Sequence, residues 1–249
     1  MVGGKVRVVV INELLKLIPA DKAYEDVAQP ALRELGKSLE KVIKASRFII
    51  APLEYLAAQH ERWERYLRKV AENVDEDNLI EGHPQIIVPT LEGLCYVQED
   101  TIISEMFVNL LSNAIDKTKQ DSAHPAFPKI ISQLSPDEAV VLFFLKMGKY
   151  KVTQQADYDI KTDEFASTRT IYEEFPLDKL VYPQHIGVYM DHLSSLNLAG
   201  TWQIKQQEII KDKKTKIQTG VYIYAEHRLT EFGRLFAEAC VPKEYKGLA

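Results

Sequence analysis

Metal and nucleophile chemistry would draw first on six histidines (His60, His83, His124, His185, His192 and His227) and two cysteines (Cys95 and Cys240), and their spacing argues against both uses. His185 and His192 lie seven residues apart, about two helical turns, with Gly187 between them, so they do not form the close pair that a zinc site on a helix requires. No Gly-x-x-x-x-Gly-Lys-Ser/Thr loop, Gly-x-Gly-x-x-Gly, His-Glu-x-x-His, Cys-x-x-Cys or Gly-x-Ser-x-Gly occurs, which removes the usual phosphate, dinucleotide, zinc and serine-nucleophile motifs. These residues predict a protein with no metal, no cofactor and no catalytic site. The best polar group is Asn109, Asn113 and Asp116 along one helix face, with His124 in the turn region that follows. In a functional reading Asp116 orients His124 as a general base or builds a polar socket. In the preferred structural reading Asn113 and Asp116 tie down loop backbone and His124 packs ahead of Pro125.

A second candidate is basic. Lys205, Lys211, Lys213, Lys214 and Lys216 fall on and beside a polar turn, where they would reach a phosphate backbone. The helix that would enter a major groove, Ile186 to Leu198, contains no Arg or Lys and carries Asp191. The chain has a net charge of −5 and so no general basic field. The lysines therefore read first as a solvated hairpin tip that discourages edge pairing, and nucleic acid is the alternative partner.

The elements that position these residues follow from periodicity. Apolar residues recur at three- and four-residue spacing from Ala31 to Val74, with Glu61–Arg65 and Glu64–Arg68 as charge pairs on the wet face. An apolar stretch from Ile86 to Cys95 follows Gly82 and Pro84, and Glu99 to Lys117 is the clearest helix. A short helix is predicted from Ala126 to Leu134, and Ser135-Pro136-Asp137-Glu138 is a capping box that opens a very apolar helix to about Met147. Residues 149 to 182 lose helical periodicity and read as loops with room for a short strand pair. Pro183 to Ala199 reads as a helix closing at Asn197 to Gly200, and Trp202–Ile210 and Ile217–Ala225 read as a β-hairpin. Leu229 to Cys240 returns to helix.

The expected fold is mainly α (α+β overall): a helical domain over 1–125 and a winged-helix-like domain over 126–249 with a two-stranded wing. At 249 residues with 46% apolar content, the chain is long enough for either one or two cores. Asn12, Glu13 and Lys16 follow the short run Val8 to Ile11 without a small-residue cleavage site, which speaks against a signal peptide. Phe48 to Leu53 is far too short to span a bilayer. Two distant cysteines in apolar contexts fit reduced, buried thiols, and together these features predict a cytoplasmic protein with no membrane span.

The middle of the chain resembles a bacterial family. Asn78-Leu79-Ile80-Glu81, Pro89 to Tyr96, Met106 to Lys117, His124-Pro125-Ala126-Phe127 and Gln133 to Ala139 carry the resemblance to the abortive-infection alpha family. It extends back to Arg47-Phe48-Ile49-Ile50-Ala51-Pro52 and forward to Leu229 through Phe236. The resemblance implies a cytoplasmic antiphage protein, acting when an infected cell stops growing or dies before phage is released. It brings no catalytic residues to carry over. The expected mode is therefore interaction with a protein partner or self-association, and the alternative is a nucleic-acid-binding regulator using the lysine-rich wing.

Overall fold

A computed structural model describes residues 62, 63 and 65–244. The helices expected between Ala31 and Leu56, the Phe48 segment and the Glu61–Arg65 and Glu64–Arg68 pairs lie outside the described residues. Two compact units are present. One comprises the described residues up to Glu99 together with Phe107–Pro125, and the other comprises Asp100–Met106 and the residues from Ala126 onward.

Among the described residues there are seven α-helices and one five-stranded antiparallel sheet. The first unit holds α1 (residues 65–72, with 62 and 63 also helical) and α2 (Pro84–Tyr96). It also holds the part of α3 (Ile102–Ala114) from Phe107 onward. His83 caps α2, its Nδ1 accepting from the Gln85 amide at 3.3 Å, and Pro84 takes the first helical position, where its missing N–H costs nothing. Tyr66, Leu67, Val70, Leu91, Leu94, Phe107, Leu110 and Leu111 are all buried. Arg65 makes a bidentate pair with Glu99 at 2.8 and 2.9 Å.

The second unit holds α4 (Phe127–Ile131), α5 (Pro136–Met147), β1 (Tyr150–Asp159), β2 (Glu164–Glu173), α6 (Ile186–Ser195), β3 (Ala199–Gln203), β4 (Glu208–Lys211), β5 (Gln218–Leu229) and α7 (Glu231–Cys240). The expected capping box is present in full: the Ser135 hydroxyl accepts from the Glu138 amide, and Glu138 Oε2 accepts from the Ser135 amide at 2.7 Å. Ala139 through Leu142 of α5 are completely buried, and Phe127 packs edge-on against Phe236 of α7 at 5.1 Å.

The sheet overturns the expected winged-helix-like module with a β-hairpin. Its order is β2-β1-β5-β3, with β4 also on β5, so β5 is the strand that three others pair with. Within residues 149 to 182 the short strand pair allowed for is two ten-residue strands, and only the turn between them and the segment after Glu173 are irregular. Periodicity hid the length of the strands for a physical reason. β1 buries only Val152 and Ala156 and β2 buries nothing, so there is almost no apolar alternation to read. The run Trp202–Ile210 is two strands separated at residues 204–207, each paired to a different half of β5.

α6 also ends differently. Asn197 takes the left-handed backbone at φ 56°, and the Leu198 amide donates back to the Leu193 carbonyl at 2.9 Å, so the turn uses Asn197 and not Gly200. No helix among the described residues is long and apolar enough to cross a membrane.

Candidate functional site

Five places in the described residues bring polar side chains together. The first holds the predicted Asn109, Asn113, Asp116 and His124. Asn109 and Asn113 are half-buried on α3, Asp116 is buried just after it, and His124 is exposed. Asp116 Oδ1 accepts from the Thr118 amide at 2.9 Å and the Thr118 hydroxyl at 2.6 Å, while Oδ2 pairs with Lys119 Nζ at 2.9 Å. Burial alone would raise the Asp116 carboxyl, but the Thr118 bonds and the Lys119 ammonium outweigh it and hold the group below its ordinary value. Both oxygens thus organise the turn after α3 and are not aimed at His124.

The second is the lysine-bearing hairpin. Lys205, Lys211, Lys213, Lys214 and Lys216 are all exposed. Asp212 Oδ1 accepts from the Lys214 and Thr215 amides and the Thr215 hydroxyl at 2.7 to 2.9 Å, and Lys216 takes a left-handed backbone at φ 62°. Four lysines therefore share one turn. Lys205 stands apart from them, its ammonium 3.3 Å from the centre of the Tyr224 ring.

The third was read in the sequence only as a helix start. Asp137 accepts from the Val181 amide (2.8 Å), the Tyr182 amide (2.9 Å) and the Tyr189 hydroxyl (2.8 Å), while Glu138 Oε1 lies 2.6 Å from His192 Nδ1. One helix turn thereby clamps α6 and the irregular segment before it. Burial, followed by donation to Asp137, pushes the Tyr189 phenol up to about 12 from an ordinary 10.0. Its folded value lies above the unfolded one, so this contribution to stability is complete below pH 10 and is lost as pH rises towards 12. Unfolding midpoints should fall over that window, and Tyr189→Phe should flatten the fall; an unchanged slope in the variant would refute the assignment.

Lower in the sheet, a hydroxyl, an imidazole and a carboxylate form a chain. Thr201 Oγ1 is 2.7 Å from His227 Nδ1, and His227 Nε2 is 3.2 Å from Glu173 Oε2. Thr201 and His227 are direct cross-strand partners. His227 is buried and Thr201 is exposed. Sequence reasoning missed this chain because its members come from β2, β3 and β5, and only strand register joins them.

The fifth place is a cleft of about 390 Å³ lined by Lys149, Trp202, Arg228, Leu229, Thr230, Glu231 and Arg234. Side chains alternate along a strand, so Trp202 and Arg228 face away from Thr201 and His227, and the cleft and the hydroxyl chain open on opposite faces of the sheet. The Arg228 guanidinium lies 4.6 Å from the Trp202 ring and pairs with Glu226 at 3.0 Å, and Lys149 reaches the same Glu226 oxygen at 3.3 Å. Gly200 permits this, because a Cβ there would meet the Trp202 ring at 2.8 Å.

The cysteines are free, with Cys240 fully buried and Cys95 only half-buried, and burial raises both thiols. Among the described residues no group of three His, Cys, Asp or Glu side chains is placed to hold a metal ion.

Comparison with known proteins gives one family. No curated protein and no solved structure matches the chain. Residues 58–240 match the family described as abortive infection alpha, spanning the capping box, all five strands and every element that lines the cleft. The chain belongs to the abortive infection alpha family, and with it to a group associated with antiphage defence by abortive infection.

Proposed function

We propose that the protein serves abortive infection by binding another protein chain along the free edge of its sheet, and not by catalysing a reaction. The exposure of β2 carries this reading. β2 is an edge strand of ten residues without proline, and Phe165, Ile171 and Tyr172 on it are each about half exposed. Such an edge offers a row of backbone donors and acceptors, and an added strand would satisfy them while covering the aromatic side chains. The buried carboxylates Asp116, Asp137 and Glu138 support the same reading, because their oxygens are engaged in holding turns and helices.

Phage plating on a host expressing the protein tests it. Phe165→Glu combined with Tyr172→Glu should abolish protection while leaving the thermal midpoint in place, as expected when two interface anchors each cost about 30-fold in affinity. The hydroxyl chain supplies the opposing outcome. If folded Thr201→Val loses protection while the β2 variant keeps it, catalysis replaces binding as the explanation. The nucleic-acid alternative would use Lys211, Lys213, Lys214 and Lys216, and a low-salt retardation assay separates it by its steep loss with added salt.

A further inference from the structure

We propose that the cleft between β3, β5 and the start of α7 binds a phosphate-bearing small molecule, with Lys149, Arg228 and Arg234 receiving the phosphate. This goes beyond the β2 edge and does not depend on it. Three cations converge from three separate stretches, one before β1, one on β5 and one on α7. The acids nearby are Glu231 in the lining and Glu226 behind it, so the cations outnumber them three to two. At about 390 Å³ the cleft has the size of a pocket for a mononucleotide-scale ligand.

The cations are organised for an oxyanion. Glu226 holds Lys149 and Arg228 side by side, and the Arg228 guanidinium lies over the Trp202 ring, which restricts where it can move. A guanidinium held in this way presents its remaining N–H groups as a rigid fork, which suits phosphate oxygens better than a freely rotating ammonium does. Arg234 pairs with Glu231, but the two side chains are 56% and 89% exposed, so the pair is weakly held and can be exchanged for a ligand oxygen without stranding a buried charge. The Trp202 ring adds an apolar wall for the remainder of the ligand.

The test is calorimetric titration of the full chain with inorganic pyrophosphate and, separately, with AMP, at constant ionic strength. Saturable one-to-one binding of at least one is expected. Arg228→Lys, which keeps the charge and loses the planar fork of donors, and Arg234→Gln should each weaken it about tenfold. Gly200→Ala should weaken it too, by pushing Trp202 out of place. Lys161→Gln removes the same single charge at the far end of β1, about 30 Å along the strand at roughly 3.3 Å per residue, and should change nothing. Arg234 is exposed, so its variant remains informative if an Arg228 variant fails to fold. Absence of saturation below about 10 mM, equal weakening by Lys161→Gln, or binding of a single-stranded oligonucleotide alone would each overturn the proposal.

Discussion

Gly233→Ala is expected to lower the stability of the C-terminal unit by about 3 kcal/mol or more, a large share of the roughly 5–15 kcal/mol that holds a domain folded. A Cβ at position 233 would stand 1.7 Å from the Leu198 carbonyl oxygen and 2.6 Å from its carbon. Both atoms are backbone, so no side chain can swing away. The first turn of α7 is seated on that carbonyl: the Thr230 amide donates to it at 3.0 Å, and the Thr230 hydroxyl caps the Gly233 amide at 2.8 Å. Relief would require the helix to lift off the end of α6, breaking the bond from the Thr230 amide to the Leu198 carbonyl. Urea unfolding measures the effect. Gly187→Ala on α6 is the internal control, because a Cβ there meets nothing within 4 Å, and it should be neutral or stabilising by about 0.5 kcal/mol. Equal midpoints for the two variants would show that α7 is not fixed as described.

Asp137→Ala should cost about 3–5 kcal/mol, because it leaves three donors without their acceptor at once. The Val181 and Tyr182 amides and the Tyr189 hydroxyl all end on this carboxylate. The segment from Glu174 to His185 has little else to hold it. Phe175 and Leu180 are its buried apolar anchors, while Val181 and Tyr182 are more than half exposed. Asp137→Asn keeps an accepting oxygen but turns an NH₂ group towards a donor, so it should cost roughly half as much. Urea denaturation gives the energies, and limited proteolysis should show new cleavage between residues 174 and 185 in the alanine variant. Stability within about 1 kcal/mol of the parent, with no new cleavage, would mean that the clamp carries no load.

What the sequence disclosed divides along the line between local and distant partners. Ser135 and Glu138 announced the start of α5 because both halves of a capping box lie within four residues. The other oxygens of Asp137 and Glu138 reach partners 44 to 54 residues away, and no local pattern marks them. Lys211 to Lys216 read correctly as a turn, again a local matter. β1 and β2 were legible only as a short strand pair, and not at their full length, because strands exposed on most sides lack the alternation that burial imposes. The polar face of Asn109, Asn113 and Asp116 was visible from helical spacing, yet the nearest partners of Asp116 turned out to be the next residues along the chain. The cleft was beyond reach for the opposite reason. Lys149, Trp202, Arg228 and Arg234 lie in separate stretches, and only the register that sets Gly200 opposite Arg228 and Trp202 opposite Glu226 assembles them.

The central place of β5 has a consequence for the order of events during synthesis. β1 pairs with β5 with Tyr150 opposite His227, which is made 77 residues later. At about 5–20 residues per second, a ribosome needs roughly 4–15 s to cover that distance. For the part of this interval that follows the completion of β2 at Glu173, the β1–β2 hairpin exists without the strand that pairs with β1, and β3 and β4 wait for the same partner. Nascent chains on crowded polysomes should therefore meet one another, or a chaperone, with that hairpin foremost. A premature stop anywhere before Gln218 removes the whole sheet beyond the β1–β2 hairpin and not merely its last strand.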